Sequence, residues 1–242
     1  MITLRKSSER GYAHHGWLES WHSFSFADYH DPAHVHFGPL RVINEDFVQP
    51  GAGFDTHGHR DMEILTYVLS GTLRHRDSMG NGGDIRHGEI QLMRAGTGVL
   101  HSEFNPSPDA VVHLLQIWIQ PDRQGLAPGY WQKAIPVTAE RGRWCLLVSP
   151  EAAHDASDAA LHIRQDARVS ATVLDGGESL AYPLAPGRCG YLHVARGQLT
   201  ANGVDLGAGD ALMYVNETGA ELSRGRDAEV LLFDMAQLAG GG

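Results

Sequence analysis

Residues 54–84 have the sequence FDTHGHRDMEILTYVLSGTLRHRDSMGNGGD, in which two strand-like stretches lie on either side of Gly71 and a glycine-rich cluster follows them. The first stretch is rich in Ile, Thr, Tyr and Val, which are enriched in β-strands. The segment SMGNGGD consists largely of residues that favour turns. This part of the chain therefore predicts short strands separated by turns.

Comparable strand-like stretches occur throughout the chain. They are RVINEDFV, EIQLM, AVVHLLQIWI, WCLLVSP, HIRQD, ARVSATVL, GYLHVARGQLTANG, GDALMYV and AEVLLFDM. Residues 1–36 are aromatic and histidine-rich without a clean period, and we expect them to lie as an extended segment over the body of the protein. Residues 120–143, with Pro121, Pro128 and Pro136, predict a connector. The pattern indicates an all-β protein, either a sandwich or a barrel.

The second half of the chain weakly repeats the first. YVLSGTLRH is similar to LHVARGQLT, and HGEIQLM is similar to AGDALMY. Gly71 then aligns with Gly197, and Gly88 aligns with Gly209. This alignment sets Pro183, Ala185 and Cys189 against His57, His59 and Glu63, and Leu222 and Arg224 against His101 and Glu103. Because the second copy lacks every polar candidate of the first, we expect one functional site, in the N-terminal half.

Composition excludes several classes of function. The 242 residues carry a formal net charge of −10 and no cluster of Lys and Arg, which argues against direct binding of nucleic acid or of an anionic membrane. MITLRKSSER has no apolar run typical of a secretory signal, and no apolar stretch is long enough for a membrane span. Cys145 and Cys189 provide neither a disulfide framework nor zinc-ligand spacing. A cytoplasmic location is expected.

The histidines carry the chemical signal, since twelve of the 15 lie before residue 120. Residues i and i+2 of a strand face the same side, so His57 and His59 can direct both imidazoles at one point. His101 and Glu103 repeat this spacing in GVLHSEFN. Three imidazoles and a carboxylate suit a borderline divalent metal. The same parity brings Glu63 to the face of His57 and His59 if the strand continues without a bulge, so the pattern does not decide between Glu63 and Glu103.

These residues resemble the two motifs of the cupin family. The first motif corresponds to Gly51…His57-Gly-His59-Arg-Asp-Met-Glu63…Gly71, and the second to Gly88…Gly96…His101-Ser-Glu-Phe-Asn105. More narrowly, HGHRDMEILTYVLSG, DSMGN, AGTGVLHSEFNPS and RGYAHHGWLESWHSFSFADYHDP resemble the bacterial pirin family. The likeness is strong from residue 2 to about residue 120 and looser beyond it. Arg94 departs from the general cupin pattern, which has a proline there, and we expect it to alter a turn rather than the ligands.

The resemblance implies a bicupin, with two double-stranded β-helix barrels facing each other. An N-terminal cupin domain over residues 1–135 would hold the metal, and a degenerate C-terminal cupin domain over residues 136–242 would have no metal ligands. The implied ligands are His57, His59, His101 and Glu103. In many other cupins the residue at the position of Glu63 binds the metal, whereas the pirin pattern assigns this role to Glu103.

The family likeness implies a quercetin 2,3-dioxygenase type of activity, in which the flavonol 3-hydroxyl binds the metal as its oxyanion, O2 opens the heterocycle and carbon monoxide leaves. Iron(II) is the metal expected from the family, with copper, nickel, manganese and zinc left open. Glu103 is the candidate to accept the hydroxyl proton and is the one catalytic residue that we predict. The partners would be a small aromatic substrate and O2. The alternative is a non-catalytic metal-binding regulatory protein or redox sensor that acts through protein partners.

The remaining candidates have plainer interpretations. We expect the histidines of the N-terminal segment to be exposed or bonded to backbone, and its aromatic residues to cover the barrel more often than to line a pocket. We expect His75 and His87 to lie on the surface, His113 to be a satisfied interior histidine and Cys145 to be a small core residue.

Overall fold

The computed structural model describes residues 1–135, 141–151 and 160–237. A 3-10 turn at Ser7–Glu9 apart, every regular element in these ranges is a β-strand. No helix in them is long and apolar enough to cross a membrane. The predicted all-β class is confirmed.

The chain divides into two compact units. One consists of Arg10–Ala134, here called the N-terminal unit, and the other of Met1–Glu9 together with Ile135–Gly242, here called the C-terminal unit. The first nine residues belong to the C-terminal unit because β1 (Ile2–Arg5) pairs antiparallel with β19 (Ala211–Val215). The units therefore differ from the predicted domains 1–135 and 136–242 in those nine residues and in Ile135. The predicted boundary adjoins residues 136–140, which lie outside the described residues.

The N-terminal unit consists of two antiparallel sheets. Its strands are β2 (Gly11–His14), β3 (Leu18–His22), β4 (Leu40–Val48), β5 (Gly53–His59), β6 (Glu63–Ser70), β7 (Thr72–Asp77), β8 (Gly82–Arg86), β9 (Glu89–Arg94), β10 (Val99–Phe104), β11 (Val112–Ile119) and β12 (Gly129–Ala134). The larger sheet has the order β12-β9-β6-β11-β4-β3-β2, and the smaller has the order β5-β10-β7-β8. The inner faces of the two sheets pack on each other, with Leu73 and Ile85 of the smaller sheet against Val48, Val68 and Leu114 of the larger.

Two expectations about the N-terminal half need correction. Residues 1–36 do not simply lie over the body, because β2 and β3 extend the larger sheet and β3 pairs with β4 from Leu18 to His22. The connector at residues 120–143 contains a strand, since β12 pairs with β9. In both cases the sequence alternates too weakly to indicate a strand, and the ladder of an adjacent strand supplies the missing backbone partners.

The strands of the C-terminal unit form one nine-stranded sheet, in which two strands pair outside the main strand order. Besides β1 and β19 it contains β13 (Cys145–Pro150), β14 (Leu161–Ile163), β15 (Ala167–Leu174), β16 (Leu180–Pro183), β17 (Arg188–Ala201), β18 (Val204–Gly207) and β20 (Gly219–Ala236). Aliphatic side chains such as Leu192, Val194, Leu212 and Leu232 fill its core. Within the described parts of this unit, no three His, Cys, Asp or Glu side chains come close enough to share a metal ion.

The glycines support the internal repeat. Gly71 and Gly197, which the repeat aligns, have φ angles of 79° and 66°, and Gly88 and Gly209 have φ angles of 85° and 81°. A side chain is strained at such angles, so glycine is favoured at both members of each pair. The aligned glycines thus share one backbone conformation.

Replacing Gly197 tests the close packing at one of these glycines. A Cβ at Gly197 would lie 2.2 Å from the carbonyl oxygen of Asp227, whereas a Cβ at Gly203, where φ is also positive at 79°, meets nothing within 4 Å. We expect Gly203→Ala to lower the free energy of unfolding by about 1–2 kcal/mol. Gly197→Ala should lower it by about 1–3 kcal/mol more, because the overlap adds to the strain. Urea unfolding measures the difference, and equal losses would contradict it.

Candidate metal centre

Three histidines meet at one point on the inner face of the smaller sheet. His57 and His59 lie on β5, and His101 lies on β10, directly opposite His57 in the antiparallel pairing. The ring centroids are 4.8 Å apart for His57–His59, 4.4 Å for His57–His101 and 4.7 Å for His59–His101. The two-residue spacing predicted from the sequence thus brings together three of the four expected ligands.

Glu63 is not part of this cluster. Asp61 has a φ of 50°, so the chain turns between β5 and β6, and Glu63 begins a strand of the other sheet. Its carboxylate is fully buried and accepts a hydrogen bond from Nε of Arg94 at 3.1 Å. Glu63 therefore does not share the strand face of His57 and His59, because the strand does not continue to it. Arg94, which departs from the cupin pattern, is the residue that binds Glu63.

Glu103 lies beside the cluster, held towards the larger sheet. Nε2 of Gln116 donates to its Oε2 at 2.8 Å, and the hydroxyl of Thr66 lies 3.4 Å from its Oε1. A carboxylate oxygen of Glu103 lies within 4.8 Å of ring nitrogens of His101 and His75. The structure does not group it with His57 and His59. Burial raises the pKa of Glu103 to about 7, and the nearby Asp46 adds to this shift.

The hydrogen bonds of His57 determine which of its nitrogens faces the cluster. Its Nδ1 lies 2.7 Å from the backbone carbonyl oxygen of Asp55, which can only accept. Nδ1 therefore carries the proton, and Nε2 presents a lone pair to Nε2 of His101, 3.0 Å away. Two ligands at right angles on an ion with bonds of about 2.1 Å lie about 3.0 Å apart. The separation of the two nitrogens thus fits a divalent metal.

The electrostatics of the cluster also fit a metal. Burial lowers the pKa of His59 to about 4 and that of His101 to about 2, with smaller contributions from neighbouring histidines. At neutral pH these rings are therefore uncharged and offer lone pairs, which is the form that binds metals. Neutral imidazoles suit zinc, copper, iron and nickel, so the donor set does not select one of them.

His75 departs from its predicted position. It was expected on the surface, but it is fully buried on β7, where it is paired in register with Glu103 of β10. Its Nδ1 lies 3.4 Å from Nδ1 of His101, and its ring stacks on Tyr130 with centroids 5.0 Å apart. The alternation in TLRHRD could have found it, since Leu73 and His75 share the face opposite to Arg74 and Arg76.

The other predictions have mixed outcomes. His113 is satisfied as expected, with Nε2 2.9 Å from Oε1 of Glu45, and His87 is exposed. Cys145 is half-buried rather than a core residue.

Among the histidines of the N-terminal segment, His22 is buried, whereas His14, His15, His30 and His36 are exposed and His34 is partly buried. Among its aromatic residues, Phe24 is in the core, Trp21 packs on Tyr12 and Phe47, and Trp17 and Phe26 line a cavity.

This cavity, of about 840 Å³, opens beside the histidine cluster. His57, His59 and Glu103 lie on its wall. Aromatic rings form much of the rest, since Trp17 packs edge-on against Phe54 at 5.0 Å and Phe26 packs edge-on against Trp118 at 5.5 Å. Trp118 also contacts the ring of His59 at 4.9 Å. The space is large enough for a ligand of several fused rings.

A row of polar side chains crosses the larger sheet inside the unit. Strand register places them side by side, because direct partners in a sheet face the same side. The row runs through His22, Asn44, Gln116, Thr66 and Gln91. His22, Asn44 and Gln116 line the cavity, and Gln116 is the residue that bonds Glu103. The polar row therefore connects the environment of Glu103 with the far side of the cavity.

Two family models match the chain. The model described as Pirin matches residues 3–119, and the model described as quercetinase C-terminal cupin domain matches residues 146–235. The chain belongs to the pirin family. The predicted family and the predicted fold of two cupin barrels are both confirmed.

Among similar pirins, a quercetin 2,3-dioxygenase of Escherichia coli K12 is 46% identical over 97% of this chain and 99% of its own length. A pirin-like protein of Caulobacter vibrioides is 41% identical over 98% of this chain and all of its own length. The solved structure of the bacterial pirin YhhW from Escherichia coli in complex with nickel(II) is 44% identical, with a TM-score of 0.91 over 98% of this chain and all of that one.

These relatives bear on the predicted chemistry. The predicted enzyme class, a quercetin 2,3-dioxygenase-like oxidoreductase, is the class named for curated relatives that match nearly the whole chain. A site for a divalent metal is supported by the nickel(II) complex of the Escherichia coli pirin and by the histidine cluster of this chain. Which metal is native stays a prediction, as do the cytoplasmic location and any protein partner.

Glu63 and His57 should respond in opposite ways to substitution. Glu63→Gln is expected to retain nickel(II) binding, because Glu63 faces Arg94, and to lower the free energy of unfolding by about 1–3 kcal/mol as a hydrogen bond to a charged group weakens. His57→Ala should lose nickel(II) affinity with a smaller effect on stability, since His57 is only partly buried. Equilibrium dialysis and urea unfolding measure both properties. Loss of nickel(II) by Glu63→Gln would contradict the assignment of Glu63.

Proposed function

We propose that this pirin is a metal-dependent dioxygenase that opens a flavonol-type ring with O2, as the names of its curated relatives suggest. One observation carries the proposal, namely that three imidazoles converge at the wall of a large cavity with aromatic sides. A site that only stabilises structure would have no reason to adjoin such a cavity, because structural metal sites are closed by protein ligands.

In this proposal His57, His59, His101 and Glu103 hold one divalent transition metal, with iron(II) expected from the family. The ring nitrogens of the three histidines lie within 4.8 Å of one another, and the carboxylate of Glu103, bonded to Gln116, lies beside them. On a metal that accepts more than four ligands, these residues would leave room for a substrate to bind. When bound, the metal supplies positive charge that favours an ionised substrate hydroxyl and a redox centre for reaction with O2.

The cavity would position a flat substrate. Trp17, Phe54, Phe26 and Trp118 provide faces and edges of aromatic rings, which favour stacked and edge-to-face contacts with a planar ligand. Because Trp118 contacts His59, a ring bound against Trp118 is also close to the histidine cluster. These walls exclude water from the reacting part of the ligand, which strengthens its electrostatic interactions with the site.

Glu103 is the residue proposed to accept the proton of the reacting hydroxyl. It lines the cavity, and no basic side chain bonds to it among the described residues. Gln116 donates to Oε2 and so orients the carboxylate, leaving Oε1 with only the long contact to Thr66. An oxygen with free lone pairs at the cavity wall can take a proton from a hydroxyl within hydrogen-bonding distance.

The overall reaction consumes one O2 per flavonol. Two carbon–carbon bonds of the oxygen-containing ring break, one of its carbons leaves as carbon monoxide, and both atoms of O2 remain in the ring-opened ester. The substrate is oxidised and O2 is reduced, so no further reductant is required.

The far side of the cavity offers acceptors for other hydroxyl groups. The hydroxyl of Ser20 donates to Oδ1 of Asp46, so Ser20 Oγ accepts from Nε2 of His22 at 2.9 Å. Nδ1 of His22 is then a bare acceptor, and burial keeps the ring neutral by lowering its pKa to about 4. Nδ1 of His22 and Oδ1 of the adjacent Asn44 have no hydrogen-bond partner within the described residues. We propose that this corner receives hydroxyl hydrogens of a polyhydroxylated ligand after small side-chain rotations.

Loading the metal-free protein with single divalent ions tests the proposed activity. With quercetin as substrate, we expect O2 uptake and release of carbon monoxide in a ratio of one to one with at least one redox-active ion, and none with zinc. Glu103→Gln should lower kcat by about 100-fold or more, because general base catalysis contributes on that scale. An oxygen electrode and a carbon monoxide assay provide the measurements.

The same experiment separates the enzyme from the regulatory alternative. If the protein binds each ion stoichiometrically and shows no uptake with any of them, the dioxygenase proposal fails in favour of a metal-binding sensor. Full activity of Glu103→Gln with its metal retained would remove Glu103 from the mechanism and leave the rest of the proposal in place.

Binding measurements on the zinc-loaded protein test the hydroxyl-binding corner without turnover. Asn44→Leu is expected to weaken binding of quercetin by about tenfold, since the acceptor of one hydrogen bond is lost. Binding of galangin, a flavonol that has no hydroxyls on its pendant ring, should change by less than twofold. Titration by quenching of tryptophan fluorescence compares the two ligands. Equal weakening for both would contradict recognition of distant hydroxyls.

A further inference from the structure

His101 uses both of its ring nitrogens within the protein. Its Nε2 faces Nε2 of His57 at 3.0 Å, and its Nδ1 faces Nδ1 of His75 at 3.4 Å. His75 lies on β7, next to β10 in the smaller sheet, and has no exposed surface. Water therefore has no access to take its place. The bond between His101 and His75 thus bears on which nitrogen of His101 carries the proton.

Asp77 lies on the other side of His75 and determines which nitrogen of His75 carries a proton. Its Oδ2 lies 3.4 Å from Nε2 of His75. Its Oδ1 accepts from the backbone nitrogens of Met79 and Asn81, both at 2.9 Å, and the side-chain amide of Asn81 donates to Oδ2 at 3.0 Å. So many donors stabilise the ionised carboxylate, which can only accept. Nε2 of His75 must therefore carry a proton, and its Nδ1 is an acceptor.

Neutral His75 has only one ring proton, so the position of that proton determines whether His101 donates or accepts. Because Nδ1 of His75 accepts, Nδ1 of His101 donates, and Nε2 of His101 is left with a bare lone pair directed at the cluster. We propose that His75 and Asp77 are a positioning pair that fixes His101 as a metal ligand. This inference rests on the ligand set of the proposed function.

The surroundings hold the pair rigidly. Tyr130 stacks on the ring of His75 with an angle of 24° between the planes, which restricts rotation of the ring. Pairing in register sets Asp77 opposite His101 and Glu103 opposite His75, so the chain of hydrogen bonds runs between adjacent strands of one sheet. Outer hydrogen bonds of this kind orient a metal-binding histidine and raise the basicity of its free nitrogen.

The two proposed ligands on adjacent strands have different outer partners. His57 donates to the neutral carbonyl of Asp55, whereas His101 donates to an imidazole that is itself bonded to a carboxylate. The carboxylate increases the electron density that His101 can offer to a cation. Loss of His75 would leave a buried N–H of His101 unpaired, or would move the proton to Nε2 and block the lone pair.

A pair of substitutions at His75 tests the positioning role. His75→Leu removes the acceptor, and we expect the dissociation constant for nickel(II) to rise by about 10–100-fold. His75→Gln can accept from His101 through its amide oxygen and donate to Asp77 through its amide nitrogen, so its affinity should stay within about threefold of the unchanged protein. Competition with a chromophoric chelator gives the constants, and the visible spectrum of the cobalt(II) form reports the ligand environment.

His113→Leu is the matched control, because it breaks a histidine–carboxylate pair of the same unit, with Glu45, outside the cluster. It should leave nickel(II) affinity unchanged, and thermal unfolding of each metal-free variant verifies the fold. Unchanged affinity in a folded His75→Leu protein would overturn the proposal. Loss of affinity in both His75 variants, with an altered cobalt(II) spectrum, would also overturn it, since His75 would then be a ligand itself.

The ligand set can fail separately from this inference. If His101→Ala binds nickel(II) as tightly as the unchanged protein, the proposed metal site is wrong and His75 has no ligand to position. If His101→Ala loses binding and His75→Leu does not, the metal site stands and only the positioning role is rejected.

Discussion

The pairing of His57 with His101 is the constraint on which the site depends. Antiparallel register sets the two residues directly opposite each other, and with Asp55 behind His57 and the proposed acceptor His75 behind His101, two lone pairs face each other across 3.0 Å. Without a cation, two lone pairs at this separation repel each other. The smaller sheet therefore favours binding of a positively charged ion between His57 and His101.

The two sheets contribute different properties to this point. The smaller sheet supplies the imidazoles and their outer hydrogen bonds. The larger sheet supplies Gln116 and Thr66, which contact the carboxylate of Glu103, and the polar row that continues to Asn44. Apolar packing of Leu73 and Ile85 on the larger sheet holds the two sheets together. Trp17 and Phe54 pack against this apolar cluster and also line the cavity, so the apolar core directly supports the cavity wall.

Much of this could be predicted from the sequence, and the failures have physical reasons. The shared face of His57 and His59 needs only the period of a strand, whereas their meeting with His101 also needs the pairing of β5 with β10. The choice between Glu63 and Glu103 depends on the positive φ of Asp61, which turns the chain between sheets and which no residue pattern indicates. The two-residue period of a strand also indicates a buried position for His75, but the adjacent glycine-rich turn suggested that His75 lies on the surface. The polar row and the place of β1 depend on which strands pair, and that is a property of the whole fold.

The pairing of β1 with β19 has a consequence for biosynthesis. A ribosome releases β1 before the entire N-terminal unit, yet the partner edge of β1 is formed by residues more than 200 positions later. The N-terminal unit can complete its barrel while the chain is still growing, whereas the C-terminal unit must wait for its last strands. Until then the backbone of β1 lacks this partner, and Ile2 and Leu4 cannot yet pack on the core of the C-terminal unit.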